Sequence, residues 1–182
     1  DPLLARVGAF YHDIGKLKRP YFFIENQLGE NPHEKISPNL STLIITSHIK
    51  DGLEMARRYR LPQVIQDIIV QHHGNSLVSY FYHRAEKCQD SKKNQLCQEN
   101  FRYEAPLPQS KEAAIILLAD SVEAAARSMP KPISGKIEGV VRKIVKEKLN
   151  DGQFGQCDIT LKELDMVSNI FVRILSGIYH TR

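Results

Sequence analysis

The spacing of apolar residues is the feature that most limits how this chain can fold. Towards the C-terminus they recur every three or four residues over several turns, which is the period of an α-helix with one buried face. One stripe comprises Ile137, Val140, Val141, Ile144, Val145 and Leu149, and the next comprises Leu164, Val167, Phe171, Ile174 and Ile178. Thr160-Leu-Lys-Glu163 forms a capping box that marks the start of the second helix. Because no stretch alternates apolar and polar residues over more than a few positions, the sequence predicts an all-α fold.

Helix start signals divide the remainder of the chain into further helices. Asp1-Pro2 and Ser37-Pro38 each place a capping residue before proline at the first helical position. The predicted helices run from Pro2 towards Gly15, from Pro38 to about His48 with another through Tyr59, from Leu61-Pro62 to His72-His73-Gly74, over Ser76–Lys87 and over Lys111–Ser128. A chain of 182 residues is long enough for one domain, spanning residues 1–182, with its own core. We therefore expect a bundle of about seven or eight helices.

Residues 88–110 differ in composition from the predicted helices around them. The segment is polar, lacks helical periodicity and carries Pro106 and Pro108. These properties are typical of a loop, and they predict a polar surface insert between two helices. A second break is expected at Met129-Pro-Lys-Pro132, before the two C-terminal helices.

Charge and cysteine content narrow the class of partner and the compartment. The net charge is +4, and no long run of lysine and arginine predicts binding to a nucleic-acid polymer, so a small anionic substrate fits better. The three cysteines form no Cys-x-x-Cys pair, which favours reduced thiols in the cytosol over a disulfide framework. The apolar run Ile115–Ala119 is far too short to cross a bilayer.

Histidine and aspartate residues continue the apolar face of four predicted helices. His12, His48 and His72 each lie four residues after a small or apolar residue, and Asp120 lies four residues after Ile116. One such histidine alone is ordinarily a hydrogen-bonded core residue, whereas an unpaired buried carboxylate is very costly. Four of these positions together indicate side chains that converge on a shared partner, for which a metal ion is suited. With their neighbours, the candidate ligands are His12, Asp13, His48, His72, His73 and Asp120.

Six candidate ligands are too many for one catalytic metal ion that keeps an open coordination position. They suit two ions, with a carboxylate such as Asp13 bridging them. The set offers nitrogen and oxygen but no thiolate, which favours Fe or Mn, with Zn as a further option. Two ions a few ångströms apart can bind a hydroxide between them that attacks phosphorus in line, so we expect phosphoester hydrolysis with Asp13 in a catalytic role.

The stretch His12-Asp13-Ile14-Gly15-Lys16 resembles the defining motif of the HD superfamily of phosphohydrolases. Together with His48 in Thr-Ser-His-Ile-Lys-Asp-Gly, with His72-His73-Gly, and with Asp120 in Leu-Ala-Asp-Ser-Val-Glu-Ala, the series is similar to the binuclear HD subgroup. Residues 18–27 and Asn31-Pro-His33 resemble one branch, the cytoplasmic HD domains of seven-transmembrane, PgpH-type cyclic-di-AMP phosphodiesterases. The resemblance covers most of residues 1–87 and resumes at about residue 111.

This resemblance implies hydrolysis of cyclic di-AMP to 5′-pApA on the inner side of a bacterial membrane. The parent protein would reach that membrane through transmembrane segments outside this sequence, and an oligomer is compatible with the sequence. The family also carries a metal-binding His on a helix before the HD motif, and we expect that ligand to be missing because the sequence begins at Asp1. Relatives that hydrolyse cyclic di-GMP carry Gly-Tyr-Pro shortly after the paired histidines, whereas Asn75-Ser-Leu-Val follows here, which argues against that branch.

Several residues are candidates for contacts with the substrate. Lys16 lies one turn beyond His12, where it would neutralise a phosphate oxygen and act in catalysis; the alternative is a solvated lysine. Arg19 and Arg127 are further phosphate candidates. His33 resembles a family position and is expected to contact the substrate or a metal ligand. The aromatic candidates for stacking on adenine, of which at least one is expected in the core, are Tyr21, Phe22 and Phe23.

Two other functions remain open on the sequence alone. An HD nucleotidase or (p)ppGpp hydrolase belongs to the same class of enzyme. Such enzymes often use one metal ion and fewer histidines, so His48 and the His72-His73 pair count against this function. A non-catalytic HD module that senses a nucleotide or a partner is the alternative from another class. The presence of all six downstream ligand candidates argues against such a degenerate domain.

Overall fold

Seven α-helices form in the residues that the computed structural model describes, which are 1–27, 29–88, 97–129 and 134–179. They are α1 (Pro2–Tyr11), α2 (Pro38–Arg58), α3 (Gln63–Gln71), α4 (Ser79–Cys88), α5 (Lys111–Arg127), α6 (Ser134–Asn150) and α7 (Leu161–Ile178). Short 3-10 turns occupy Ile14–Lys18, Pro20–Phe22, Ile24–Asn26, Pro32–Lys35 and Gln98–Phe101. Within these ranges no β-strand forms, which confirms the prediction of an all-α bundle.

The predicted helix starts are confirmed where a capping side chain is present. The Asp1 carboxylate accepts hydrogen bonds from the amides of Leu3 and Leu4, and the Ser37 hydroxyl accepts one from the amide of Leu40. The capping box at Thr160 is complete, with Glu163 bonded back to the Thr160 amide. These bonds satisfy amide groups that have no partner inside the helix, and they therefore fix where each helix begins.

Two of the predicted helix boundaries, near His12 and near His48, were wrong. Helix α1 ends at Tyr11 rather than near Gly15, because the chain turns at His12-Asp13 into the 3-10 turn Ile14–Lys18. That turn packs tightly on α2: a side chain on Gly15 would collide with the carbonyl oxygen of His48. Helix α2 continues unbroken for 21 residues, where the sequence predicted two helices meeting near His48.

Helix α5 lies at the centre of the bundle, in contact with α1 and α3 on one side and with α6 and α7 on the other. Ala113 and Ile116 pack against Ile68 of α3. Leu117 and Leu118 are fully buried and join the core formed with α6 and α7. Because α5 is packed on both sides, it fixes the position of Asp120 relative to α1 and α3.

The described part of the segment 88–110 is not confined to the surface. Phe101 is buried beside Phe81 of α4, and Tyr103 is also buried. A short antiparallel contact holds the segment: the Tyr103 amide donates to the Ser76 carbonyl at 3.0 Å, next to an isolated bridge from Leu77 to Arg102. This pairing also explains why α4 begins at Ser79 and not at Ser76. The surface prediction is therefore wrong at Phe101 and Tyr103, whereas residues 89–96 lie outside the described part.

One further point concerns the break that the sequence predicts before the two C-terminal helices. The break expected at Met129–Pro132 falls on residues 130–133, which lie outside the described residues. Helix α6 begins directly after them.

In the described ranges, no helix combines the length and the apolar character that crossing a membrane requires.

Candidate metal centre

Three histidines from different helices are held in the same way. His12 follows α1, His48 lies within α2 and His72 follows α3. In each ring Nδ1 bonds the backbone carbonyl three residues earlier; since a carbonyl only accepts, Nδ1 carries a proton and Nε2 is the nitrogen that a cation could use. The partners are Ala9 for His12 at 2.8 Å, Ile45 for His48 at 2.6 Å and Ile69 for His72 at 2.8 Å.

The carboxylate of Asp13 lies between these rings. Its Oδ1 is 3.5 Å from Nε2 of His48 and 3.6 Å from Nε2 of His72, and its Oδ2 is 3.2 Å from Nε2 of His12. Lys16 approaches Oδ2 at 2.6 Å. Oδ1, by contrast, is buried and has no hydrogen-bond partner. A buried carboxylate oxygen without a donor is costly, and a cation held by Asp13 and the two buried rings would satisfy it.

The second part of the cluster comes from α5 and from the residue after His72. Nδ1 of His73 is 3.7 Å from Asp120 Oδ2, and Asp120 Oδ1 is 4.0 Å from Nε2 of His12. The side chains form two groups with Asp13 in common, and in each group the candidate ligand atoms lie within 4.8 Å of one another. One group is Asp13, His48, His72 and His73, and the other is His12, Asp13 and Asp120.

The structure thus brings all six predicted ligand candidates to one place. The fit to metal ions rests on Asp13 Oδ1, which has no hydrogen-bond partner, and on the Nε2 atoms of His48 and His72, which face it. Together with the nitrogen and oxygen donor set, these features make a cluster that is able to hold metal ions. The role of each residue as a ligand stays a prediction.

Burial and charge set the protonation states that metal binding needs. Burial, with His72 nearby, lowers the pKa of His48 to about 4, and burial lowers the pKa of His73 well below its usual value. Burial opposes ionisation of Asp13, but its side-chain interactions with His12 and His72, and then the charges of His12 and Lys16, hold its pKa far below the ordinary range. The imidazoles of His48 and His73 are therefore neutral, beside an ionised carboxylate, at neutral pH.

His12 differs from the other rings. Burial favours its neutral form, but the hydrogen bond and charge of Asp13, with the charge of Asp120, outweigh burial and raise the pKa of His12. A cation that binds at His12 would displace this proton.

The predicted substrate residues lie in different settings. Lys16 is beside the cluster, where Nζ bridges Asp13 and Glu25. Arg19 is bonded to Ser47 at 2.9 Å and Asp51 at 2.7 Å. Their contacts with a substrate stay predictions.

Arg127 and His33 are the remaining predicted contacts. Arg127 lies 3.3 Å from Glu123 in a partly exposed ion pair. His33 is buried, with Nε2 bonded to the Phe22 carbonyl at 2.9 Å and its ring against Phe81. This environment is that of a packed core residue, and a contact between His33 and substrate has no support in these distances.

The aromatic candidates divide between core and surface. Phe23 is buried, with its ring edge-on to His48 at a centroid distance of 5.8 Å, so at least one of the three is a core residue as expected. Tyr21 is 69% exposed and is free to stack on a ligand.

Sequence reasoning missed Tyr103. Its ring stacks on His73, with centroids 4.2 Å apart and planes 19° from parallel, and it meets His48 edge-on. Burial, and then the charges of Asp120 and Asp13, raise the pKa of Tyr103 well above its usual value, so the phenol stays neutral. No local signal identifies it, because it lies in a polar segment without periodicity.

Comparison with known proteins places the chain in a family. The family model described as HD domain matches residues 1–125. The chain is 55% identical to the cyclic-di-AMP phosphodiesterase PgpH of Bacillus subtilis (strain 168), over 99% of the chain and 25% of that protein. The chain thus spans about a quarter of the length of the curated PgpH relatives it matches.

Solved structures agree with this match. The crystal structure of the L. monocytogenes phosphodiesterase PgpH HD domain has a TM-score of 0.91 and 46% identity, covering 99% of this chain and 83% of that one. The same domain in complex with cyclic di-AMP has a TM-score of 0.92 and 46% identity, covering 98% of this chain and 82% of that one. The chain therefore belongs to the HD domain family, as an HD domain of the PgpH type.

Proposed function

We propose that this chain is the catalytic domain of a metal-dependent phosphodiesterase that hydrolyses cyclic di-AMP to 5′-pApA. The observation that carries the proposal is the convergence of six imidazole and carboxylate side chains around Asp13. Support for the substrate comes from the 46% identity to an HD domain crystallised with cyclic di-AMP. We also propose that the domain acts on the cytoplasmic side of a bacterial membrane as part of a longer protein; the length of the PgpH relatives supports the longer protein.

We propose that two metal ions bind, with Asp13 shared between them. One would be held by Asp13, His48, His72 and His73, and the other by His12, Asp13 and Asp120. The nitrogen and oxygen donors favour Fe or Mn. When bound, such ions supply a hydroxide nucleophile at neutral pH and positive charge beside the phosphodiester.

The chain's own side chains provide the remaining parts of the mechanism. The neutral rings of His48 and His73 can each bind a cation without first losing a proton from the donor nitrogen. Lys16 places an ammonium group at the edge of the cluster, where it would neutralise a non-bridging phosphate oxygen as negative charge develops there. Tyr103 packs along His73 and excludes water from that side.

Metal content and product analysis on the same purified protein test this proposal. We expect about two Fe or Mn ions per chain, and conversion of cyclic di-AMP to 5′-pApA with slower turnover of cyclic di-GMP. Asp13→Ala should abolish turnover while leaving the helix content in circular dichroism unchanged. Asp158→Ala is the matched control, because Asp158 is exposed and distant in sequence from the cluster residues.

Three results would contradict the proposal. A metal-loaded protein that leaves cyclic di-AMP intact but releases phosphate from nucleotides or (p)ppGpp would be a nucleotidase. A protein that binds a nucleotide but no metal would be a sensing module. Turnover retained in Asp13→Ala would remove the bridging role of Asp13.

A further inference from the structure

Lys16 has two carboxylate partners in the described part of the chain. Its Nζ lies 2.6 Å from Asp13 Oδ2 and 2.7 Å from Glu25 Oε1, and its side chain is 18% exposed. The ammonium also lies over the ring of Phe23, at 5.2 Å from the ring centroid. The Lys16 head group is therefore held from three sides at the edge of the metal cluster.

Asp13 and Glu25 differ in whether they would remain available to Lys16 once cations bind. Both oxygens of Asp13 face Nε2 atoms of the ligand candidates, so cations in the cluster would compete with Lys16 for Asp13. Cations close to an ammonium group repel it. Glu25 belongs to neither ligand group and would keep its charge for Lys16.

Glu25 is itself held in place by the fold. It sits in the 3-10 turn Ile24–Asn26, directly after buried Phe23, and the Asn26 amide donates to the Phe23 carbonyl at 2.9 Å. Phe23 packs edge-on against His48, so the turn is fixed relative to the cluster. Burial opposes ionisation of Glu25, but the hydrogen bond and charge of Lys16, with the charge of Arg127, lower its pKa, so the carboxylate is ionised at neutral pH.

We propose that Glu25 is a positioning residue, which holds the Lys16 ammonium against a phosphate oxygen of the substrate while Asp13 is engaged with metal. This inference rests on the proposed phosphodiesterase function and adds a residue to its site. Glu25 acts through Lys16 and touches neither the substrate nor the metals. Its removal therefore weakens phosphate recognition and transition-state stabilisation only when Lys16 is present.

A double-mutant cycle tests this assignment. Glu25→Gln, Lys16→Met and the double variant are compared with the wild type, all loaded with Mn²⁺. Two readouts are taken: calorimetric affinity for a phosphorothioate analogue of cyclic di-AMP, and kcat and KM for cyclic di-AMP. Metal content is measured for every variant. Glu54→Gln is the matched control, because Glu54 pairs with Lys18 and its side chain is 72% exposed.

We expect Glu25→Gln to lower both the affinity for the analogue and kcat/KM about tenfold, with metal content unchanged, because it removes the negative charge that strengthens the hydrogen bond to Lys16. Glu25→Asp should restore part of the loss, and Glu54→Gln should match the wild type. In the Lys16→Met background, Glu25→Gln should have no further effect.

The outcomes separate this inference from the function on which it rests. Wild-type affinity and kcat/KM in Glu25→Gln would overturn the positioning role alone. An equal loss in the Lys16→Met background, or loss of metal from Glu25→Gln, would also overturn it, because Glu25 would then act on the general structure or on the metals. A wild-type protein that neither binds the analogue nor cleaves cyclic di-AMP would overturn the proposed function first.

Discussion

The Nε2 atoms of His48 and His72 lie 3.3 Å apart, although each ring already uses its Nδ1–H for a backbone carbonyl. Since each Nδ1–H is already engaged, the two Nε2 atoms face each other in a buried site, beside an Asp13 oxygen that has no donor. Such an arrangement destabilises the metal-free protein locally and is relieved by a cation. We therefore expect metal binding to stabilise the folded domain.

Thermal unfolding with and without metal measures this coupling. We expect Mn²⁺ to raise the melting temperature relative to protein in EDTA, with a stabilisation of about 2.7 kcal/mol when free metal is about 100 times Kd. His48→Ala should lose most of the metal-dependent increase, because His48 faces Asp13 and His72. His83→Ala is the control, since His83 is exposed on α4, where it pairs with Glu86. An unchanged metal-dependent shift in His48→Ala would contradict a cation at this position.

The turn after the HD motif depends on glycine at position 15. Gly15→Ala would place a methyl group against the His48 carbonyl and the Gly52 amide, so the turn or α2 must move. We expect a loss of about 2–3 kcal/mol in the free energy of unfolding, measured by urea titration, with weaker metal binding. Gly139→Ala is the matched control, because a methyl group there meets no atom within 4 Å and favours helix α6 by about 1 kcal/mol. Equal stability of the two variants would show that the turn tolerates a side chain.

Tyr103 is expected to support His73 through its ring. Tyr103→Ala removes a buried ring that stacks on His73, and we expect it to lower the free energy of unfolding by about 3–5 kcal/mol and to weaken metal binding. Tyr103→Phe keeps the ring and should bind metal like the wild type, as measured by competition with a chelating dye. If Tyr103→Phe loses as much affinity as Tyr103→Ala, the hydroxyl carries the effect and the stacking argument is wrong.

The start of α7 gives the stability a defined acid dependence. Hydrogen bonds from Lys111, and then from the Thr160 amide and hydroxyl, lower the pKa of Glu163 from 4.5 to about 2. A group with a lowered folded-state pKa stabilises the protein above its unfolded pKa, and that contribution is lost as the pH falls through the folded value. We therefore expect Glu163→Gln to lower the urea midpoint at pH 7, with a difference from the wild type that shrinks between pH 4.5 and pH 2.

The control for this effect is Glu104→Gln, since Glu104 is highly exposed and 3.9 Å from its partner Lys50. Its urea midpoint should follow that of the wild type at every pH. A Glu163→Gln difference that stays constant from pH 7 down to pH 2 would show that the carboxylate charge does not stabilise the helix start.

The positions of the ligand candidates were predictable because helical periodicity indicates which side chains face the core. His48 and His72 continue apolar faces that the core requires, so their inward direction follows from the fold class alone. The complete capping box at Thr160 was equally local, and the start of α7 followed from it. In both cases the signal lies within a few residues of the position that it determines.

The remainder of the site depends on contacts between distant parts of the chain. Tyr103 contacts His73 because its segment pairs with Ser76 and Leu77. No residue pattern near Tyr103 predicts that pairing. Glu25 meets Lys16 through a series of 3-10 turns that have no periodic pattern. The boundary errors at α1 and α2 also lie at such a contact, because the turn after α1 packs Gly15 against His48 and Gly52 of α2.

Each histidine ring is hydrogen-bonded to a carbonyl of its own helix. The distance between the donor nitrogens therefore depends on how closely the helices pack. At Gly52 of α2, an added methyl group would meet Ile69 of α3 at 3.0 Å, so the two helices are already at close approach beside His48 and His72. For a cation bound between these rings, the radius that fits would thus depend on aliphatic packing outside the centre. A repacked interface would retune the preference among divalent ions while every donor atom stays the same.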